Sequence, residues 1–288
     1  MDIIITGLLL GGTYALIAMG LNLQYGMSRI MNLANGEMLV AGGFAAFWFW
    51  TAATISPLLT VFLVAPVAFA VNWLIYVVVL RQLVRRAKSR GQLEVDAILT
   101  TFGLSFVAVG LMLATFGGDY FSYSYLLIPV QFLGETYALN RLMAFLAAVI
   151  ICGLLYLWLN HSRPGMSIRA IAVSPESARL VGINVPRLSA LAFALGGAVT
   201  AIGGTLVSTF LTLDASTGVV FTLKALVIVI MGGVGDVRGT IVAALLLGIL
   251  ETFVATVIDP GLTLAAAYLM FVLVLLLRPQ GLFGRKQA

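Results

Sequence analysis

Apolar runs follow one another along nearly the whole chain, at 3–24, 30–50, 58–80, 97–116, 140–159, 188–212, 222–234, 240–258 and 262–277. Most approach the ~20 residues that a helix needs to cross the hydrocarbon core of a bilayer. A helix satisfies its own backbone in lipid. The nine runs therefore predict an all-α, polytopic membrane protein with about eight or nine transmembrane helices. The seventh run is short and leads into a glycine cluster at 232–239, so it fits either a full crossing or a half-helix followed by a turn. No linker or low-complexity tract interrupts the series, and 1–288 reads as one transmembrane domain.

Composition supports this. Apolar residues make up 61% and charged residues 9% of the 288 positions, against about 25% charged in soluble domains. A soluble fold of this size needs a wet, charged exterior, so a soluble enzyme and a nucleic-acid binder are both excluded. The net charge of +5 is organised by loops. Twelve of the sixteen cations lie in 81–96 (Arg81, Arg85, Arg86, Lys88, Arg90), 160–187 (Arg163, Arg169, Arg179, Arg187) and 278–288 (Arg278, Arg285, Lys286). The positive-inside rule puts these three segments in the cytoplasm, with the N-terminus outside and Arg29 and Arg238 on the inner side. The opposite loops carry Asp119, Glu135, Asp214 and Asp259, with Arg141 as the basic exception. Their aromatics, Tyr120 to Tyr137 with Trp48 and Trp50, fit an interfacial belt. Met1 to Ile5 has no basic n-region, so the first run is expected to be retained and not cleaved as a signal peptide.

Chemistry-bearing residues are few. Cys152 and His161 are single copies, so no intrachain disulfide and no His-pair metal site can form, and no cofactor is expected in this chain. No G-x-x-x-x-G-K-[ST] loop is present, so ATP is not bound through a P-loop. Gly7 with Gly11 and Gly235 with Gly239 have helix-packing spacing. Gly7-Leu8-Leu9-Leu10-Gly11 is echoed by Ala244-Leu245-Leu246-Leu247-Gly248. Ionisable groups inside apolar runs are costly and are site candidates by default. Glu37 and Glu251 qualify, with Asn32 and Asn35 as amide neighbours. They are candidates for lining a translocation pathway, or for hydrogen bonds between helices: Glu37 with Asn22, Asn32 or Asn35, and Glu251 with Lys224.

The longest polar stretch, 160–187, contains a compact set of helix signals. Ser174 suits an N-cap, Pro175 the first helical position, Glu176 the first-turn dipole and Gly182 the C-terminal stop. With Ser177, Ala178 and Arg179 between them, they predict a helix of about two turns between two spans. Glu176 and Arg179, three apart, can pair with each other or with a partner.

This stretch resembles the cytoplasmic loop of ABC importer permeases for branched-chain amino acids, through Arg169-Ala170, Ala172, Ser174-Pro175-Glu176, Ala178-Arg179 and Gly182-Ile183-Asn184. Residues 7–37 and 231–251 are similar to the family's first spans and to its Gly-Gly-x-Gly turn. Asn35 stands where the family usually has His. The resemblance fits the shorter, H-type subunit and implies a type II-like permease fold in a bacterial inner membrane. It implies a coupling helix at 174–182 that docks on an ATPase. The implied partners are an M-type permease chain, two ABC ATPase subunits, a periplasmic binding protein, membrane lipid and an amino acid substrate. Related permeases for urea or short amides share much of this pattern. A gradient-driven secondary transporter, a membrane enzyme and a passive channel are the rivals from other classes, and none of them explains the coupling-type loop.

Overall fold

The computed structural model describes residues 2–28, 30–87, 89–132 and 135–283. Helix α1 (Asp2–Asn22) passes into a π-helical turn, Leu23–Met27. After a non-helical stretch come α2 (Asn35–Ala53) and α3 (Pro57–Ile75), which continues through a π-helical turn into α4 (Arg81–Arg86). Next are α5 (Arg90–Phe116), a hairpin of β1 (Pro129–Phe132) and β2 (Glu135–Ala138), and α6 (Leu139–His161). The second half holds α7 (Arg163–Val173), α8 (Pro175–Leu180), α9 (Val185–Val207), α10 (Thr217–Gly232), α11 (Val237–Val257) and α12 (Thr263–Leu277).

Local chemistry sets many of these boundaries. Side chains of Ser56, Ser89, Ser162, Ser174, Asn184 and Asp236 accept a backbone N–H two or three residues into the helices that follow them. Proline sits in the first two positions of α3, α7, α8 and α9, where its missing N–H costs nothing.

Among the described residues, seven helical stretches are long and apolar enough to cross a membrane. The nine expected runs resolve into these seven plus α2 and α10. Helix α2 is diluted by Asn35 and Glu37 in its first turn. Helix α10 has 16 residues, about 24 Å at 1.5 Å per residue, short of the ~30 Å core. Its start lies inside the bundle: a Cβ on Gly36 of α2 would collide with the Gly218 carbonyl.

Small residues bring the central helices together. A Cβ on Gly7 would lie 2.6 Å from Ile249 Cα, and one on Gly11 2.8 Å from Leu245 Cα, while Gly248 faces Gly11. The two segments that echo each other in sequence are thus the two sides of one crossing between α1 and α11. Gly20 meets Gly196 and Thr200, and Gly42 meets Ala201, so α9 is gripped by both α1 and α2. This close approach replaces the hydrophobic drive that lipid removes. Gly235 serves differently: its φ of +85° makes a left-handed turn that packs on Gly26.

Three expectations shift. Run 30–50 is not helical before Asn35, although Ile30 is fully buried. Run 188–212 ends as helix at Val207, because the chain then turns to pair Leu213 with Phe121 of the outer loop. That loop carries the β1–β2 hairpin, and its aromatics pack on α2 (Phe44 with Phe121, centroids 4.9 Å apart; Trp50 with Tyr125, 5.2 Å). Of the expected inner-side cations, Arg29, Lys88, Arg285 and Lys286 lie outside the described residues.

Candidate functional site

At one end of the bundle, α7 and α8 form a cap between α6 and α9. Helix α7, which follows α6 directly, is an element that the sequence reading missed. Its signal was available: Ser162 as N-cap, Pro164 in the first turn, and Ile168 and Ile171 three apart on the buried face. Gly165 lets it lie against Leu159 of α6.

Helix α8 forms as its residues dictate. Ser174 Oγ accepts from Ser177 N at 3.2 Å, and its hydroxyl donates to Ser177 Oγ at 3.0 Å. Gly182 takes φ +81°, and the chain reverses through Gly182 N to Arg179 O (3.1 Å) and Ile183 N to Ala178 O (3.1 Å). A single buried residue, Ala178, anchors the helix in a small core with Ile171 of α7 and Val185 of α9. Glu176 and Arg179 are exposed, and among the described residues they form no salt bridge with each other. Beside them Leu180 is 89%, Val181 75% and Val173 73% exposed. Sequence reasoning singled out the polar residues here and missed these three. Three exposed aliphatic side chains thus stand beside the exposed polar ones of this loop.

The four polar residues expected near the pathway are all buried inside the chain. Asn32 sits in the non-helical stretch 30–34, where backbone groups lack helical partners. Its side chain accepts from Ala34 N at 3.0 Å and donates to Gln24 Oε1 at 2.9 Å. Thr101 of α5 accepts from Leu33 N (3.1 Å), and Thr222 of α10 accepts from Gly36 N (2.8 Å). Non-helical backbone at membrane depth persists only where such partners satisfy it. Asn35 Oδ1 accepts from Thr200 Oγ1 at 3.0 Å. Glu37 accepts from Ser105 Oγ of α5 at 3.0 Å, not from any of the three asparagines, and its Oε2 has no partner.

Glu251 belongs to a second network. Its Oε2 lies 2.8 Å from Lys224 Nζ and accepts from Tyr14 OH at 2.7 Å, while Lys224 donates to that same phenol oxygen at 2.8 Å. The rings of Tyr14 and Phe221 flank the ammonium at 4.9 and 5.9 Å. This is the one salt bridge among the described residues, and it ties α1, α10 and α11 together. A third network surrounds the glycine-rich turn. Asn22 accepts from Gly235 N (2.8 Å) and donates to Thr240 Oγ1 (2.9 Å), Arg238 Nε donates to Tyr156 OH (2.8 Å), and Leu282 N caps Met231 O (2.7 Å). Among the described residues, no three His, Cys, Asp or Glu side chains converge as a metal site.

Apolar helices long enough to cross a membrane, packed together with polar groups tied between them, define a polytopic helical membrane protein. Residues 3–277 match the family model described as branched-chain amino acid transport system / permease component, and the chain belongs to that family. The high-affinity branched-chain amino acid transport system permease protein BraD of Pseudomonas aeruginosa is 28% identical, across 99% of this chain and 95% of that protein. The permease protein LivH of the same type of system in Escherichia coli K12 is 28% identical, across 98% and 94%. The probable branched-chain amino acid transport permease LivH of Methanocaldococcus jannaschii is 23% identical, across 93% and 88%.

Proposed function

We infer that this chain is the H-type permease subunit of an ATP-driven importer in a bacterial inner membrane. It passes leucine, isoleucine and valine inward from a periplasmic binding protein. One observation carries the reading: α8, held by a single buried alanine, leaves Leu180 and the following Val181 exposed beside Val173 at the end of α7, in the loop that carries Arg163, Arg169, Arg179 and Arg187. A chain without a P-loop must draw ATP energy through contact, and this cap is the surface for it. Ser174, Pro175 and Gly182 fix the helix, Ala178 seats it, and Glu176, Ser177 and Arg179 face the ATPase. Each permease chain needs one ATPase, so an M-type partner chain and two ATPase subunits complete the assembly.

Asn32, Asn35, Glu37 and Glu251 serve the pathway from behind. They are buried at helix contacts, where they hold α2, α5, α10 and α11 in place as its walls. The substrate then meets mostly apolar side chains, and selectivity rests chiefly with the binding protein. The test is reconstitution with the M-type chain, candidate ATPases and binding protein, comparing uptake of labelled leucine and urea. ATP-dependent leucine uptake that survives an uncoupler supports the reading. Urea uptake without leucine uptake reassigns the substrate, and uptake abolished by the uncoupler alone replaces the reading with a gradient-driven one.

A further inference from the structure

The end of α1 is irregular in a way the proposed function does not yet use. Leu23–Met27 is π-helical, a widened turn that commonly sits at functional positions. Gln24 lies in this turn with no exposed surface. Its Nε2 donates to Phe193 O of α9 at 3.2 Å, and its Oε1 accepts from Asn32 Nδ2 at 2.9 Å. Its own carbonyl accepts from the Ser28 hydroxyl and from Ile30 N (3.4 Å). Room for the side chain comes from Gly196, where a Cβ would lie 2.7 Å from Gln24 Cγ. One buried amide thus joins the end of α1, α9 and the stretch 30–34.

Other contacts reach the same turn. Helix α7 packs against Leu23–Met27, and its Ile168 shares a buried cluster with Leu23 and Met27. Ile171, on the same helix, shares the small core with Ala178 of α8 and Val185 of α9. Beyond the turn, stretch 30–34 is bonded to Thr101 of α5 and Thr222 of α10 and leads into α2. A series of packed or bonded elements therefore runs from α8 through α7, the π-helical turn and 30–34 to three helices of the bundle.

We propose that Gln24 is a positioning residue for coupling: it locks the π-helical turn to stretch 30–34, so that displacement of α8 and α7 moves α2, α5 and α10. The proposal rests on α8 being the ATPase contact. Because Gln24 is bonded to Asn32, any displacement of the π-helical turn carries Asn32 with it.

The assembled transporter in proteoliposomes tests this, with leucine uptake and ATP hydrolysis measured in the same vesicles. Gln24→Met preserves the volume and removes the donor and acceptor. ATP hydrolysis should stay within about twofold, while leucine moved per ATP falls about tenfold. Asn32→Leu removes the partner of Gln24 Oε1 without changing Gln24 itself and should lower the same ratio. An unchanged ratio in both variants overturns the proposal. Hydrogen exchange on the unmodified transporter covers the case in which neither variant assembles. Amides of 23–34 should change protection together with those of α7 when nucleotide is trapped, and unchanged protection also overturns it. Leu180→Asp separates the two levels. If that variant keeps its ATPases and normal uptake, the reading of α8 falls. If it loses them while both coupling variants keep the normal ratio, only the role of Gln24 falls.

Discussion

Removing Lys224 alone should damage the protein far more than removing its whole network. Lys224 is 13% exposed and Glu251 4%, and Glu251 Oε2 takes both the ammonium and the Tyr14 hydroxyl, at 2.8 and 2.7 Å. Lys224→Met leaves a buried carboxylate with one neutral donor, and breaking a buried pair from one side costs about 3–5 kcal/mol. Tyr14→Phe keeps the pair and removes two hydrogen bonds to charged groups, the one it donates to Glu251 and the one it accepts from Lys224, each a loss of about 1.5–3 kcal/mol. Lys224→Met with Glu251→Leu removes both charges but strands the Tyr14 hydroxyl, for about 1–3 kcal/mol. Adding Tyr14→Phe makes the site wholly apolar and should return stability to within about 1 kcal/mol of the natural chain, since apolar replacements of buried pairs are often neutral. The assay is reversible unfolding of the purified chain in mixed micelles, compared across the four variants. A single Lys224→Met variant as stable as the parent would refute this reasoning, and so would a triple variant as damaged as the single one.

Two further outcomes follow from the same contacts. Asn22→Leu leaves Gly235 N–H without its acceptor and removes the bond to Thr240, so the midpoint of thermal unfolding should fall by an amount equivalent to about 1–3 kcal/mol; an unchanged midpoint contradicts the role given to Asn22. Ser174→Ala removes the α8 cap, worth about 1 kcal/mol locally. Limited proteolysis should then cut within 174–182 faster while the melting of the bundle is unchanged.

The parts of this fold that were legible from sequence are those with local causes. Helix α8 could be read from Ser174, Pro175 and Gly182 because capping and left-handed turns act within a few residues. The long apolar helices could be read because lipid imposes one length and one polarity on them. Stretch 30–34 escaped notice because Ile30 and Met31 are as apolar as a span, and nothing in their identity shows that the chain is not helical there. What keeps it so is Asn32 folding onto Ala34 N, stabilised by Thr101 and Thr222 from far along the chain. The polar partners were hidden for the same reason. Tyr14, Ser105 and Thr200 lie within apolar runs and give no periodic signal, and only folding shows that they face Glu251, Glu37 and Asn35. The Lys224–Glu251 pair could be proposed because membrane charges seek each other. The echo between 7–11 and 244–248 was visible as a pattern, but its meaning as one helix crossing required coordinates.

The most direct trial is a photo-reactive side chain at Leu180, activated in intact membranes that carry the whole transporter. It should capture a nucleotide-hydrolysing subunit, and the same group at Leu127 on the opposite loop should not. Capture of only lipid at Leu180, or of a protein from the outer side of the membrane, would contradict the assignment of α8 as the surface through which ATP drives this permease.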